Sequence, residues 1–175
     1  MLKESLYYSK ILLFGEYGII HDSMGLSIPY NDYNGKLLFS KTPDLASKDS
    51  NKKLEKFLIH LENLESRGEL PCVLNLRKFR EDLDKGMHFD SSIPEGFGVG
   101  SSGAIVAAIY DHYSEDKITS DANMSNEKFI ELKKIFGILE SYYHGKSSGL
   151  DPLICYLNLP VLIKSKSEVG TVGLP

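Results

Sequence analysis

Apolar residues recur along this chain at two spacings, and the change from one to the other marks its elements. Residues 10–14 form a short apolar run ending at Gly15, which predicts a buried strand entering a turn. Gly15-Glu16-Tyr17-Gly18 continues as a strand–turn segment, and apolar character resumes at Ile19-Ile20. Residues 26–29 predict another strand. Asn34-Gly35, just ahead of Lys36-Leu37-Leu38-Phe39, predicts a hairpin turn. Residues 41–53 are rich in Lys, Asp and Ser and read as a surface loop. Leu54, Phe57, Leu58, Leu61 and Leu64 then fall at helical spacing, giving a core-facing amphipathic helix closed by Arg67-Gly68. Residues 73–76 and 87–89 read as further strands separated by a charged segment.

The second half is more helical. A helix is expected from about Ser102 to Tyr113, followed by a polar loop over 114–125. Ser125 suits the N-cap of a long helix carrying Phe129, Leu132, Ile135, Phe136 and Leu139, which Gly145 ends. Residues 146–152 read as a loop leading into a short apolar element, and 161–163 as one more strand. Strands cluster first and helices separate the later ones, so the pattern is α+β rather than regular βαβ alternation.

Size and charge narrow the function. A chain of 175 residues suits one domain with a real core. A net charge of −4 argues against a general nucleic-acid binder. No apolar run approaches the ~20 residues that span a bilayer. The N-terminus lacks the cationic start and apolar core of a signal peptide. Cys72 and Cys155 stand far apart, outside any C-x-x-C spacing, and read as reduced thiols. A cytoplasmic protein is expected, without membrane or nucleic-acid partners.

The chemistry concentrates in Pro94-Glu95-Gly96-Phe97-Gly98-Val99-Gly100-Ser101-Ser102-Gly103-Ala104, which opens an apolar helix. Glycines let backbone amides approach a ligand closely. A helix N-terminus adds unpaired N–H groups and the positive end of a dipole. Together they suit phosphate. The segment is neither G-x-x-x-x-G-K-[ST] nor G-x-G-x-x-G.

Two other segments stand with it. One is Lys10-Ile11-Leu12-Leu13-Phe14-Gly15-Glu16-Tyr17. The other runs from Glu140 through His144-Gly145-Lys146-Ser147-Ser148-Gly149-Leu150-Asp151. In this order the three blocks resemble the GHMP small-molecule kinases, and most closely their mevalonate kinase branch. The resemblance covers residues 10–29, 94–110 and 140–163. It implies the N-terminal lobe of a GHMP kinase, with ribosomal protein S5 domain 2-like architecture. Residues 1–175 would be this nucleotide-binding domain, with the C-terminal lobe absent from the chain.

The resemblance also implies roles. Pro94, Gly96, Gly98, Val99, Gly100, Ser101, Ser102 and Gly103 would cradle the phosphates of ATP, with Ser148 in support. Ser102 (Ser101 being the alternative) and Glu140 would bind Mg²⁺, a pair of hard oxygen ligands suited to that ion. Asp151 would take the acceptor alcohol's proton, with Lys10 beside it favouring the charged carboxylate. Glu16, Tyr17 and Ser27 would touch the acceptor, although a Tyr stands at 17 where the animal enzymes carry His. Val99 stands for the usual Leu, and Gly103 for the usual Ala. The second exchange should weaken the first helical turn by up to ~1 kcal/mol.

Plainer readings accompany these. Asp151, before Pro152, suits a helix N-cap. Lys10 and Glu140 could be solvated charges, and His144 suits a helix C-terminus. The implied reaction is phosphoryl transfer from ATP to mevalonate. Phosphomevalonate kinase, a sugar kinase, diphosphomevalonate decarboxylase and a non-catalytic nucleotide-binding or interaction fragment are the alternatives. A homodimer is an admissible assembly.

Overall fold

The computed structural model describes residues 5–15, 24–119, 124–164 and 169–171. It is an α+β fold built on an antiparallel sheet. Strand β1 (Tyr7–Phe14) pairs with the long strand β2 (Gly25–Phe39). The first part of β2 also pairs with β4 (Val161–Ile163), which carries β5 (Val169–Thr171). Its last part pairs with β3 (Met87–Ser91). Burial along β2 alternates, with Gly25, Ser27, Gly35 and Leu37 on the covered face. That is the period of a strand with one side on a core.

The expected hairpin at Asn34-Gly35 does not form, and the two strands predicted here are one. Both halves of β2 pair with the same neighbour, so the chain keeps its direction. The register slips between Tyr8 (opposite Asn34) and Ser9 (opposite Tyr30), so residues 31–33 have no partner on β1. Gly35 serves close packing instead of a turn: a Cβ there would meet the Phe89 ring at 2.3 Å.

Helix α1 (Leu45–Ser66) begins well before the apolar stripe. The polar stretch expected as loop is its first half. Asp44 caps it by accepting from the Ser47 amide at 2.8 Å. Ser50 then exchanges hydrogen bonds with the Phe89 backbone, and the Asn51 amide donates to Met87 O at 2.6 Å. This half of the helix is docked on β3 by polar side chains, so it shows no apolar period. The charged segment after residue 75 is helix α2 (Leu76–Asp84), capped by Asn75, with Leu76, Phe79 and Leu83 buried. Of the strand expected at 73–76 only one bridge survives, Leu74 to Ser114.

Helices α3 (Ser101–Tyr113), α4 (Asn126–His144) and α5 (Leu150–Leu157) complete the molecule. Ser125 caps α4 and Gly145 ends it, as the sequence suggests. The short apolar element after 146–152 is α5, which starts at Leu150, inside the expected loop. Ala104, Val106, Ala107 and Ala108 of α3 are buried. These small side chains let α3 lie close against its neighbours. Cys72 and Cys155 are both free. Among the described residues no helix is long and apolar enough to cross a membrane.

Candidate active site

Four parts of the chain meet at the N-terminus of α3. The first is β1. The Lys10 amide donates to Val99 O at 3.0 Å, which ties the glycine segment to the strand. Gly96, Gly98 and Gly100 all have positive φ (83°, 69° and 89°). Gly100 is the N-cap of α3 and has no side chain to bond the helix amides, so those donors remain for a ligand. Beneath Gly100 the Cys155 thiol of α5 approaches its carbonyl at 3.7 Å.

The second part is α5. The buried Lys10 ammonium lies 2.9 Å from Asp151 Oδ1, and the Asp151 side chain remains 34% exposed. A buried cation is thus neutralised by a carboxylate that still reaches solvent. Asp151 is not the N-cap of α5. Gly149 holds that position and Asp151 sits in the first turn, where its charge still favours the dipole. Gly103 brings α3 onto this turn. A Cβ on Gly103 would stand 2.7 Å from the Asp151 carbonyl carbon and 2.8 Å from Pro152 N. Its cost in helix propensity is therefore matched by a packing need that the sequence did not reveal.

The third part is α4. Ser102 Oγ donates to Glu140 Oε1 at 3.0 Å, and His144 Nε2 lies 3.0 Å from the same hydroxyl. Glu140 is buried, not solvated. The fourth part is the 145–149 turn, where the Ser147 hydroxyl donates to Glu140 Oε2. Burial, and then the nearby Asp151 charge, push the Glu140 carboxyl above its usual range. Hydrogen bonds from Ser147 and Ser102 pull against that shift. Asp151 and Glu140 thus lie close enough for their charges to repel, while Lys10 pairs with Asp151.

The other expected residues scatter around this centre. Ser101 lines a cleft of 330 Å³ with Ile105, Lys53, Asp49 and Glu95. Lys53 bridges Asp49 and Glu95, both at 3.2 Å, across that cleft. Ser148 is turned to the α5 N-terminus, accepting from the Leu150 amide at 3.4 Å. Ser27 is buried on β2 and spends its hydroxyl on Ile11 O at 3.0 Å. Pro94 lies half-buried at the start of the glycine segment. Glu16 and Tyr17 lie outside the described residues.

Ser147 and His144 join this cluster beyond the residues that the sequence motifs name. His144 had a signal, because it stands four residues after Glu140 on one helix face. Ser147 had none, since its approach depends on the turn that Gly145 begins.

The metal-free chain should show the strain on Glu140 in its stability. The folded state holds this proton to higher pH than the unfolded chain does. Above the ordinary carboxylate range the folded state therefore binds more protons, and stability falls as pH rises. Glu140→Gln removes that dependence. Its Tm should exceed the parent's by a margin that grows as pH rises above the ordinary carboxylate range. Thermal melts from that range upward check this; parallel curves would contradict it.

The fold is that of mevalonate kinase structures. One is the L. major enzyme in complex with R-mevalonate (TM-score 0.52, 18% identity, 93% of this chain and 48% of that one). Another is from methicillin-resistant Staphylococcus aureus MRSA252 (TM-score 0.50, 18% identity, 96% and 54%). A third mevalonate kinase gives a TM-score of 0.53 at 14% identity, over 98% and 56%. The chain spans about half the length of these structures. A sequence search of curated proteins gives no match. A family model for the N-terminal domain of GHMP kinases matches residues 70–158, just over half of the chain. The chain belongs to the GHMP kinase family.

Proposed function

We propose that this chain is the nucleotide-binding lobe of an ATP-dependent kinase that phosphorylates a small alcohol, with mevalonate the favoured acceptor. One observation carries the reading. The Lys10–Asp151 pair lies directly under a glycine segment whose helix amides are uncapped. Phosphoryl transfer needs little more than positioning and charge neutralisation.

The amides from Gly98 to Ser102 hold the nucleotide's phosphates, and the 330 Å³ cleft beside Ser101 takes its nucleoside half. Asp151 orients the acceptor hydroxyl and accepts its proton. Lys10 holds Asp151 in place and balances the charge on the transferred group. Glu16 and Tyr17 are assigned to the acceptor by the resemblance alone, whereas Ser27, buried with its hydroxyl bonded to Ile11 O, supports the strand instead of the acceptor.

Ser102 and Glu140 fit Mg²⁺. Their oxygens are 3.0 Å apart. Neighbouring ligands of an octahedral ion with arms of 2.0–2.1 Å are separated by about 3.0 Å. No group of three or more His, Cys, Asp or Glu side chains forms a metal cluster among the described residues. Mg²⁺ ordinarily takes one or two protein oxygens and otherwise water and phosphate. When bound, Mg²⁺ supplies charge neutralisation at the phosphates.

The test is to incubate the full chain with Mg-ATP and, separately, mevalonate, phosphomevalonate, diphosphomevalonate and a free sugar. ADP, phosphate ester and CO₂ are measured. Ester formation from mevalonate supports the proposal. Release of CO₂ from the diphosphate would move it to the decarboxylase. Absence of Mg-ATP binding by calorimetry would overturn the nucleotide reading.

A further inference from the structure

Ser102 sits between two side chains of α4, and its hydroxyl has one hydrogen to give. Glu140 Oε1 and His144 Nε2 each lie 3.0 Å from Ser102 Oγ. With that hydrogen given to Glu140, the contact to His144 is a hydrogen bond when the ring carries its proton on Nε2 and donates to Ser102 Oγ. Glu140 Oε2 is already engaged by Ser147. A cation held by Ser102 and Glu140 changes this balance. Once Oε1 turns its lone pair to the cation, it no longer faces the serine hydrogen as an acceptor. A hydroxyl whose oxygen faces a cation needs an acceptor all the more.

We infer that His144 is a positioning residue that takes over the Ser102 hydroxyl hydrogen when Glu140 engages a cation. The inference rests on the proposed cation role of Ser102 and Glu140. The imidazole changes from the Nε2–H form, which donates, to the Nδ1–H form, which accepts. One proton leaves Nε2 and one joins Nδ1, so no charge is gained or lost. His144 is exposed, and water can carry that exchange. Its exposure also means that replacing the ring empties no core.

Two measurements on the full chain test this. In the first, ¹⁵N-labelled histidine is followed at saturating ATP while Mg²⁺ is added. His144 Nε2 should move from a protonated, pyrrole-like signal to an unprotonated, pyridine-like one. Mg²⁺ binding with that signal unchanged overturns the inference. In the second, Mg²⁺ affinity at fixed ATP is measured by calorimetry. His144→Leu should weaken it about tenfold. His144→Gln keeps an acceptor near the Nε2 position and should recover it to within about threefold of the parent. Metal-free ATP affinity should be unaltered in both variants. Parent-like Mg²⁺ affinity in His144→Leu, alongside a loss in Glu140→Ala, overturns this inference alone. Parent-like affinity in Glu140→Ala overturns the cation site itself and the inference with it.

Discussion

Asp151→Asn is expected to lower turnover with Mg-ATP and mevalonate by about two to four orders of magnitude. ATP affinity should stay within about threefold, because the variant leaves untouched the amides proposed to bind phosphate. Asparagine has almost the shape of aspartate and keeps one oxygen to face Lys10, but it cannot take a proton at neutral pH. The loss should therefore fall on kcat more than on the KM of either substrate. The variant also leaves the buried Lys10 ammonium without its anion, 2.9 Å away in the parent. Removing one partner of a buried pair is costly, and the exposure of Asp151 softens that cost here. A modest fall in Tm should accompany the loss of rate. Steady-state kinetics and a melt decide the matter, and an unchanged kcat would remove Asp151 from the proton-accepting role.

The sequence exposed the parts of this molecule whose signals are local. Ser125 and Gly145 bound α4 because a cap and a terminator act over a few residues. Helix α3 follows directly from the glycine segment and the apolar run behind it. The misread elements are those whose partners lie far away. The first half of α1 is polar because Ser50 and Asn51 bond the backbone of β3 and the end of α2, about 32 to 39 residues along the chain. Asn34-Gly35 carries turn chemistry, yet both residues pair with β1, and residues 36–39 run on against β3, so the strand continues through them. The site divides in the same way. The three sequence blocks named Lys10, Ser102, Glu140 and Asp151, and the fold brings all four together. Ser147 and the need for glycine at 103 depend on how α5 lies against α3 and α4, which no local pattern encodes. Glu16 and Tyr17 stay at the level of the sequence resemblance.

Gly103→Ala separates a local account of that residue from a tertiary one, because the two predict opposite signs. Helix propensity alone predicts that alanine stabilises the first turn of α3 by up to ~1 kcal/mol. Packing predicts the reverse. The added methyl would stand 2.7 Å from the Asp151 carbonyl carbon, 2.8 Å from Pro152 N and 3.0 Å from Asp151 Cβ. The first two obstacles are backbone atoms at the start of a helix, which cannot swing aside as a side-chain tip can. Helix α5 must shift, and overpacking of this kind costs about 1–3 kcal/mol. For a domain of this size that is a Tm lower by about 3–10 °C. The shift would also carry Asp151 away from Lys10, so turnover should fall even in the fraction that stays folded. Displacement of about 1 Å near reacting groups is enough for a loss of about a hundredfold. A melt and a rate measurement on the same sample read both effects. A higher Tm with full activity would mean that α3 and α5 are not in the contact described, and the placing of Asp151 under the glycine segment would fall with it.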